Sequence, residues 1–359
     1  MGKMYKVLGM MSGTSLDGLD LAHCHIWNEN EAWHFELNEC EAIGYDSTLY
    51  DKLKNAIYLP EEEHAELHLQ YGDWLGRQAK LFLEKYGLTI DFIASHGHTS
   101  HHRPEEGITF QLGDGQQLAN TSGEKVVCDF RSLDVKLGGQ GAPLAPIGDE
   151  LLLSEYDLCL NLGGISNISF RKHSERFAYD IGMANMPLNH LTEKIGVKYD
   201  KGGKLAATGA VISGLLNALN SLEYYQLPYP KSTGYEWFTE KVVPLIDQTD
   251  ASTADLLHTV IHHNCEQIAL AIKEEELNHN NMLVTGGGAL NDFFVETLQQ
   301  KLGEDCEVHI PTKKIIEYKE ALVFALMGVL RIENHINVLS SVTGAKKDSC
   351  SGEIFYPTP

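Results

Sequence analysis

Two periods of apolar spacing alternate along this chain. Short apolar runs at residues 5–10, 19–27, 92–95, 158–162, 168–170, 176–181 and 282–285 are bounded by Gly, Ser or polar residues, which predicts strands. Apolar positions three and four residues apart over 61–86, 256–276, 292–302 and 319–332 predict helices. This alternation predicts an α/β protein whose sheets are covered by helices. A strand, a Gly/Ser-rich turn and a second strand occur near the start and again after residue 158, which suggests a duplicated unit. The Gly/Pro-rich stretch 137–146 is the expected boundary. It divides an N-terminal lobe, 1–136 rejoined by 335–359, from a C-terminal lobe, 137–334.

Composition narrows the class. A chain of 359 residues exceeds one typical domain, and 43% hydrophobic with 22% charged residues suits a globular core rather than a disordered chain or a fibre. Acidic residues outnumber basic ones by 50 to 28, a net charge of −22, and no basic run occurs. Nucleic acid and anionic membrane surfaces are therefore unexpected partners. A phosphate ligand remains compatible, because backbone amides bind phosphate in acidic proteins. The longest apolar run, 321–330, is far short of a bilayer span and contains Gly328, so it reads as a buried helix. Seven scattered cysteines read as reduced thiols, and with no signal-peptide core the expectation is a cytoplasmic protein.

Three Gly-rich turns carry the chemistry. The segment 12–20 holds Ser12, Gly13, Thr14, Ser15, Leu16, Asp17, Gly18, Leu19 and Asp20. Its glycines let amides approach an anion, its hydroxyls donate, and Asp17 or Asp20 can hold a metal or its waters. The Gly163-Gly164 turn repeats this chemistry. Gly286, Gly287 and Gly288 follow an apolar strand, where a nucleotide's ring and ribose can lie against backbone, although the Gly-Lys-Ser/Thr ending of a Walker A loop is missing. Asp180, near a strand end before Gly182, is a candidate general base; its plain alternative is a turn cap. The cluster His96, His98, His101 and His102 invites a zinc reading. No Cys joins it and Gly97 and Pro104 mark an irregular loop, so sugar-pocket lining or a plain surface loop is preferred and no zinc site is expected.

Taken together these motifs resemble the anhydro-N-acetylmuramic acid kinase family, of the actin, Hsp70 and sugar-kinase superfamily. The resemblance runs in order along nearly the whole chain: Gly9-Met10-Met11-Ser12-Gly13-Thr14-Ser15-Leu16-Asp17-Gly18, Gln111-Leu112-Gly113-Asp114-Gly115, Asn161-Leu162-Gly163-Gly164-Ile165-Ser166-Asn167, Pro230-Lys231-Ser232-Thr233-Gly234 and Thr285-Gly286-Gly287-Gly288. It implies two ribonuclease-H-like lobes of the actin-like ATPase fold, with ATP in the cleft between them. The residues from Gly13 to Asp20 and the Gly163-Gly164 turn are expected at the phosphates, Gly286 to Gly288 near the adenosine, and Mg²⁺ with ATP near Asp17 or Asp20. Asp180 takes the place of the family's catalytic aspartate. The implied reaction hydrolyses the 1,6-anhydro ring of 1,6-anhydro-N-acetylmuramic acid and phosphorylates O6, giving N-acetylmuramic acid 6-phosphate and ADP. His96, Arg131 and Glu320 are the implied sugar-side residues. Their plain alternatives are a bridge from Arg131 to Asp129 or Asp134, and a helix cap by Glu320. A homodimer is also implied.

The chain departs from the family pattern near its catalytic phrase. Asp180-Ile181-Gly182-Met183-Ala184-Asn185 stands where Asp-Thr-Gly-Pro-Gly-Asn is usual; Asn189 replaces Asp, Tyr235 replaces Arg and His98 replaces Gln. These changes raise two rivals: a kinase for another anhydro sugar such as levoglucosan, and a degenerate sensor that binds ATP or a muropeptide.

Overall fold

The strands follow in chain order as Tyr5–Ser12 (β1), Leu19–Glu29 (β2), Ala32–Ile43 (β3), Phe92–Arg103 (β4), Ile108–Leu112 (β5), Val126–Cys128 (β6), Leu158–Leu162 (β7), Ile165–Lys172 (β8), Glu175–Met183 (β9), Asn280–Thr285 (β10), Cys306–His309 (β11) and Glu353–Phe355 (β12). They belong to a computed structural model that describes residues 2–277 and 280–358. The chain divides into two units, Met1–Ser154 with Tyr318–Pro359, and Glu155–Glu317. The Gly/Pro-rich stretch 137–146 therefore lies inside the first unit. It is held there by bonds from Gln140 N to Thr343 O and from Lys346 N to Leu137 O.

In the first unit β1, β2 and β3 form an antiparallel meander, β4 runs parallel to β1, and β6 runs parallel to β4. In the second unit β7, β8 and β9 form the meander, β10 runs parallel to β7, and β11 runs parallel to β10. The two sheets thus share one strand order. This is the duplicated ribonuclease-H-like α/β architecture expected from the sequence, and β5 and β12 are additions to the first sheet. Tight turns suffice for the antiparallel pairs, whereas each parallel neighbour requires a crossover. The helix Glu61–Tyr86 lies between β3 and β4, and Asp292–Leu302 between β10 and β11.

Strand alternation explains the layers. In β1, Leu8 and Met10 join the cluster formed with Leu67, Tyr71, Leu75 and Phe82 of the helix Glu61–Tyr86. Gly9 points the other way, to the helix Lys313–Ile332, where a Cβ would lie 2.0 Å from the Ala321 carbonyl oxygen. All of residues 321–330 are buried, as expected of an internal helix. No helix among the described residues is long and apolar enough to cross a membrane.

The structure corrects two local expectations. Ser12 is a strand residue and Leu19 and Asp20 belong to the strand predicted over 19–27, so the first loop spans only 13–18. The histidine segment is no irregular loop. Gly97, at φ 72°, bulges β4, after which the strand continues to Arg103 and pairs with β5. A single residue that tolerates left-handed backbone lets the strand bend without ending.

Candidate active site

In the first unit, the 13–18 loop closes with a bond from Leu16 N to Gly13 O at 3.2 Å, and Leu16 sits at φ 57°. The Ser15 hydroxyl donates to Asp17 Oδ1 at 2.9 Å. Gly18 is pressed against β3, where a Cβ would meet the Ile43 carbonyl at 2.6 Å. A buried polar network supports the base of the loop: Ser12 Oγ lies 2.7 Å from the Tyr45 hydroxyl and 2.9 Å from His98 Nδ1, and Tyr45 donates to Gly18 O. Burial lowers His98 to about 4, so the ring is neutral at neutral pH.

The three sugar-side candidates, His96, Arg131 and Glu320, gather beside this network. Arg131 Nε donates to His96 Nε2 at 3.0 Å. That bond makes Nε2 an acceptor, leaving Nδ1 to donate to Gly97 O at 3.0 Å. Burial, reinforced by the Arg131 charge, holds His96 well below the usual imidazole range. Burial lowers Arg131 to about 10, with Glu320 and Asp134 opposing. The bridges considered for Arg131 are not its hydrogen bonds. Asp129 instead accepts from Ser132 N, and Asp134 accepts from Gly141 N and the Thr343 hydroxyl, both at 2.7 Å. Glu320 lies within the helix Lys313–Ile332, away from its start, so it is no cap. Its carboxyl is raised by desolvation, with Arg131 and Lys319 pulling it back; its exposed side chain tempers the rise through solvent screening.

Among the described residues no group of three or more His, Cys, Asp or Glu side chains is placed to hold a metal ion. His98 is bonded to Ser12, His101 meets His64 edge-on at 4.9 Å, and His102 contacts Thr109.

In the second unit two of the glycine turns come together. Parallel pairing of Thr285 with Asn161 sets the Gly286 turn beside the end of β7, next to the Gly163-Gly164 turn. Gly286 has φ 78°, and a Cβ there would meet Asn161 Oδ1 at 2.6 Å and the Leu162 carbonyl at 2.7 Å. A Cβ on Gly288 would meet Leu162 Cβ at 2.6 Å and Asn185 Oδ1 at 3.3 Å. Asn185 braces the first of these turns: its amide N donates to Gly163 O at 3.0 Å and its Nδ2 to Leu162 O at 2.9 Å.

Asp180 lies on the neighbouring strand β9, opposite Asn167, where the register shifts between Ser166 and Asn167. Its Oδ2 accepts from the Ser232 hydroxyl at 2.9 Å and from Thr233 N at 3.1 Å. Its backbone N donates to Lys231 O, and its carbonyl accepts from the Tyr224 hydroxyl at 2.6 Å. Burial raises the carboxyl above the usual carboxylate range, while the Thr233 and Ser232 donors oppose the rise. Asp180 is therefore bound by a distant segment and does not cap its own turn. A half-buried carboxylate with one oxygen bonded is suited to accept a proton. Sequence reasoning assigned no role to Asn185, Tyr224, Ser232 or Thr233. The signal available for the last two was the Pro230-Lys231-Ser232-Thr233-Gly234 phrase, whose proximity to Asp180 depends on chain folding some fifty residues away.

Comparison with known proteins adds the lineage. A family model described as anhydro-N-acetylmuramic acid kinase matches residues 5–357. A relative of that name from Francisella tularensis subsp. novicida is 32% identical, covering 97% of this chain and 98% of its own length. Another of that name from Sulfurimonas denitrificans is 34% identical over 97% and 98%. Among solved structures, the chain is similar to an activator of the 2-hydroxyisocaproyl-CoA dehydratase from Clostridium difficile with bound ADPNP, with a TM-score of 0.45 and 12% identity, covering 92% of this chain and 97% of that one. Matched from residue 5 to residue 357 and aligned almost end to end with such relatives, the chain belongs to the anhydro-N-acetylmuramic acid kinase family.

Proposed function

We propose that this chain is an ATP-dependent kinase that opens 1,6-anhydro-N-acetylmuramic acid and phosphorylates its O6. The observation that carries the reading is Asp180, held by donors on a single oxygen within a chain of this family. Asp180 accepts a proton from water as the water oxygen bonds to the anomeric carbon. The bond from that carbon to O6 breaks with its electron pair on O6, and O6 attacks the γ-phosphorus of ATP, releasing ADP. The phosphoryl group captures the alkoxide, so one carboxylate suffices and its proton returns to solvent. The glycine turns at 13–18, 163–164 and 286–288 would bind ATP through backbone amides. Asp17 or Asp20 would hold Mg²⁺, which takes few protein carboxylates alongside phosphates and waters, and which neutralises developing phosphate charge. His96, Arg131 and Glu320 would face the sugar, with Arg131 available to a carboxylate substituent.

The placement of the departures within the catalytic phrase supports a retained kinase reaction over a degenerate sensor. Ile181, Met183 and Ala184 are buried in the hydrophobic core of the second unit, whereas Asp180 and Asn185, the polar members of the phrase, are retained. These three changes therefore fall on packing positions, whereas Asn189, Tyr235 and His98 lie outside that core. We place the enzyme in the cytoplasm, consistent with seven cysteines that form no disulfide among the described residues, and expect a homodimer.

The test is ADP release with Mg²⁺ and ATP in the presence of 1,6-anhydro-N-acetylmuramic acid, levoglucosan, N-acetylmuramic acid or no sugar. Turnover is expected with the first sugar only. Turnover on levoglucosan alone would reassign the substrate, and ATP binding without turnover on any sugar would make the protein a sensor. Asp180→Asn is expected to abolish turnover while ATP still binds by calorimetry; near-normal turnover would remove Asp180 from the mechanism.

A further inference from the structure

Asp180 makes four hydrogen bonds to a single excursion of the chain, residues 224–233. Two hold its backbone, from Tyr224 and to Lys231, and two hold its carboxylate, from Ser232 and Thr233. The carboxylate contacts are one-sided. Both donors reach Oδ2, and among the described residues none reaches Oδ1, which is not sealed from solvent. A carboxylate oxygen engaged by two donors has little remaining capacity to take a proton, while its partner oxygen keeps its lone pairs.

We propose that Ser232 is a positioning residue for the reaction: its hydroxyl, with the Thr233 amide, occupies Asp180 Oδ2 and assigns the proton-accepting role to Oδ1. This inference rests on the reading of Asp180 as the base. The excursion itself is anchored by packing. Tyr224 lies 5.1 Å from the Trp237 ring and 5.8 Å from that of Tyr225, and Lys231 Nζ lies over the Tyr224 and Tyr179 rings at 5.0 and 5.9 Å. Tyr224 and Lys231 are the titratable side chains of the excursion nearest Asp180, with Tyr179 and Tyr225 packed against them and Glu274 acting on Lys231. Burial keeps the Tyr224 phenol protonated, with the Asp180 charge acting in the same direction. Lys231 is lowered by burial, and its ammonium is directed at the rings and at Tyr224 O rather than at Asp180. Two donors therefore offset the burial of the carboxylate, and only one of them, the Ser232 hydroxyl, is a side chain that substitution can remove.

Ser232 is exposed, so Ser232→Ala removes a donor without opening the core. In the full-length protein with saturating ATP, the acid limb of the kcat/KM profile for the anhydro sugar is expected to move up by about one pH unit, since a charged hydrogen bond is lost. At neutral pH kcat is expected to fall roughly ten-fold, with KM for ATP unchanged. Ser232→Thr retains the hydroxyl and is expected to restore the profile. An unmoved acid limb with kcat within about two-fold of the parent would overturn the proposal. Asp180→Asn, assayed in parallel, separates the two failures. An inactive Asp180→Asn beside an unperturbed Ser232→Ala rejects the clamp alone, whereas an active Asp180→Asn rejects the base and the clamp with it.

Discussion

His23 illustrates how one buried side chain can work against the fold that holds it. It is 4% exposed on β2, and among the described residues neither ring nitrogen has a hydrogen-bond partner. Its ring lies edge-on to that of His25, with centroids 5.0 Å apart. A buried polar group left unpaired costs about 1–3 kcal/mol. His23→Leu, of similar volume and without polar atoms, is therefore expected to unfold in urea at the same or a higher midpoint, gaining up to about 1 kcal/mol. A loss of stability would mean that the ring makes a polar contact in solution. Gly182 shows the opposite constraint. A Cβ there would lie 2.5 Å from the Tyr225 ring, whose hydroxyl meets His263 Nε2 at 2.9 Å, so the residue two places after Asp180 has no room to vary. This explains why glycine persists between Ile181 and Met183 although both of those positions have changed.

At the scale of elements, the site is made where strands end. β7 and β10 run parallel and finish together, so the Gly163-Gly164 and Gly286–Gly288 turns meet without any sequence proximity, and Asn185 braces the first of them. Gly286 bears both constraints that favour glycine, a left-handed φ of 78° and a Cβ position 2.6 Å from Asn161 Oδ1. Gly286→Ala is expected to push the turn away from β7 and weaken ATP binding by ten-fold or more, roughly 1.4 kcal/mol, measured by calorimetry. Unchanged affinity would place the adenosine elsewhere. The same scale explains the elements that sequence reasoning missed. β3 has no buried residue over its twelve positions, so it carries little apolar signal, and β5, β6, β11 and β12 are only three to five residues long. Conversely, the helices Glu61–Tyr86 and Asp292–Leu302 have the bounds that apolar spacing predicts, because each buries one stripe along its length.

At the scale of the whole molecule, four histidines are kept neutral by burial, with His23 and His98 lowered to about 4, His263 to about 3 and His96 well below the usual imidazole range. Each has a folded pKa below its unfolded value near 6.5, so as the pH falls below that value the unfolded chain binds protons that the folded chain refuses. Stability is therefore unaffected by these groups above pH ~7 and declines as the pH falls from ~6.5 towards ~4. His23, His98 and His263 alone contribute a slope of roughly 4 kcal/mol per pH unit near pH 5. Urea unfolding across this range is expected to show that decline, and His23→Leu to remove about one proton from the slope. A flat profile would mean that the rings titrate normally in the fold.

What the sequence determined by itself was everything local or ordered along the chain. Its apolar periods predicted the strands and helices that bury a stripe or a face, its glycine turns could be located along the chain, and the order of its motifs identified the family. Tertiary structure decided what depends on juxtaposition. Two glycine turns more than one hundred and twenty residues apart meet because their strands are parallel neighbours. Arg131 donates to His96 rather than to the nearby aspartates because β4 runs past it. Ser232 reaches Asp180 because the intervening chain returns to the edge of β9. The reason is physical: spacing along a chain encodes which residues share a face, whereas hydrogen bonds between side chains require the backbone between them to have already folded.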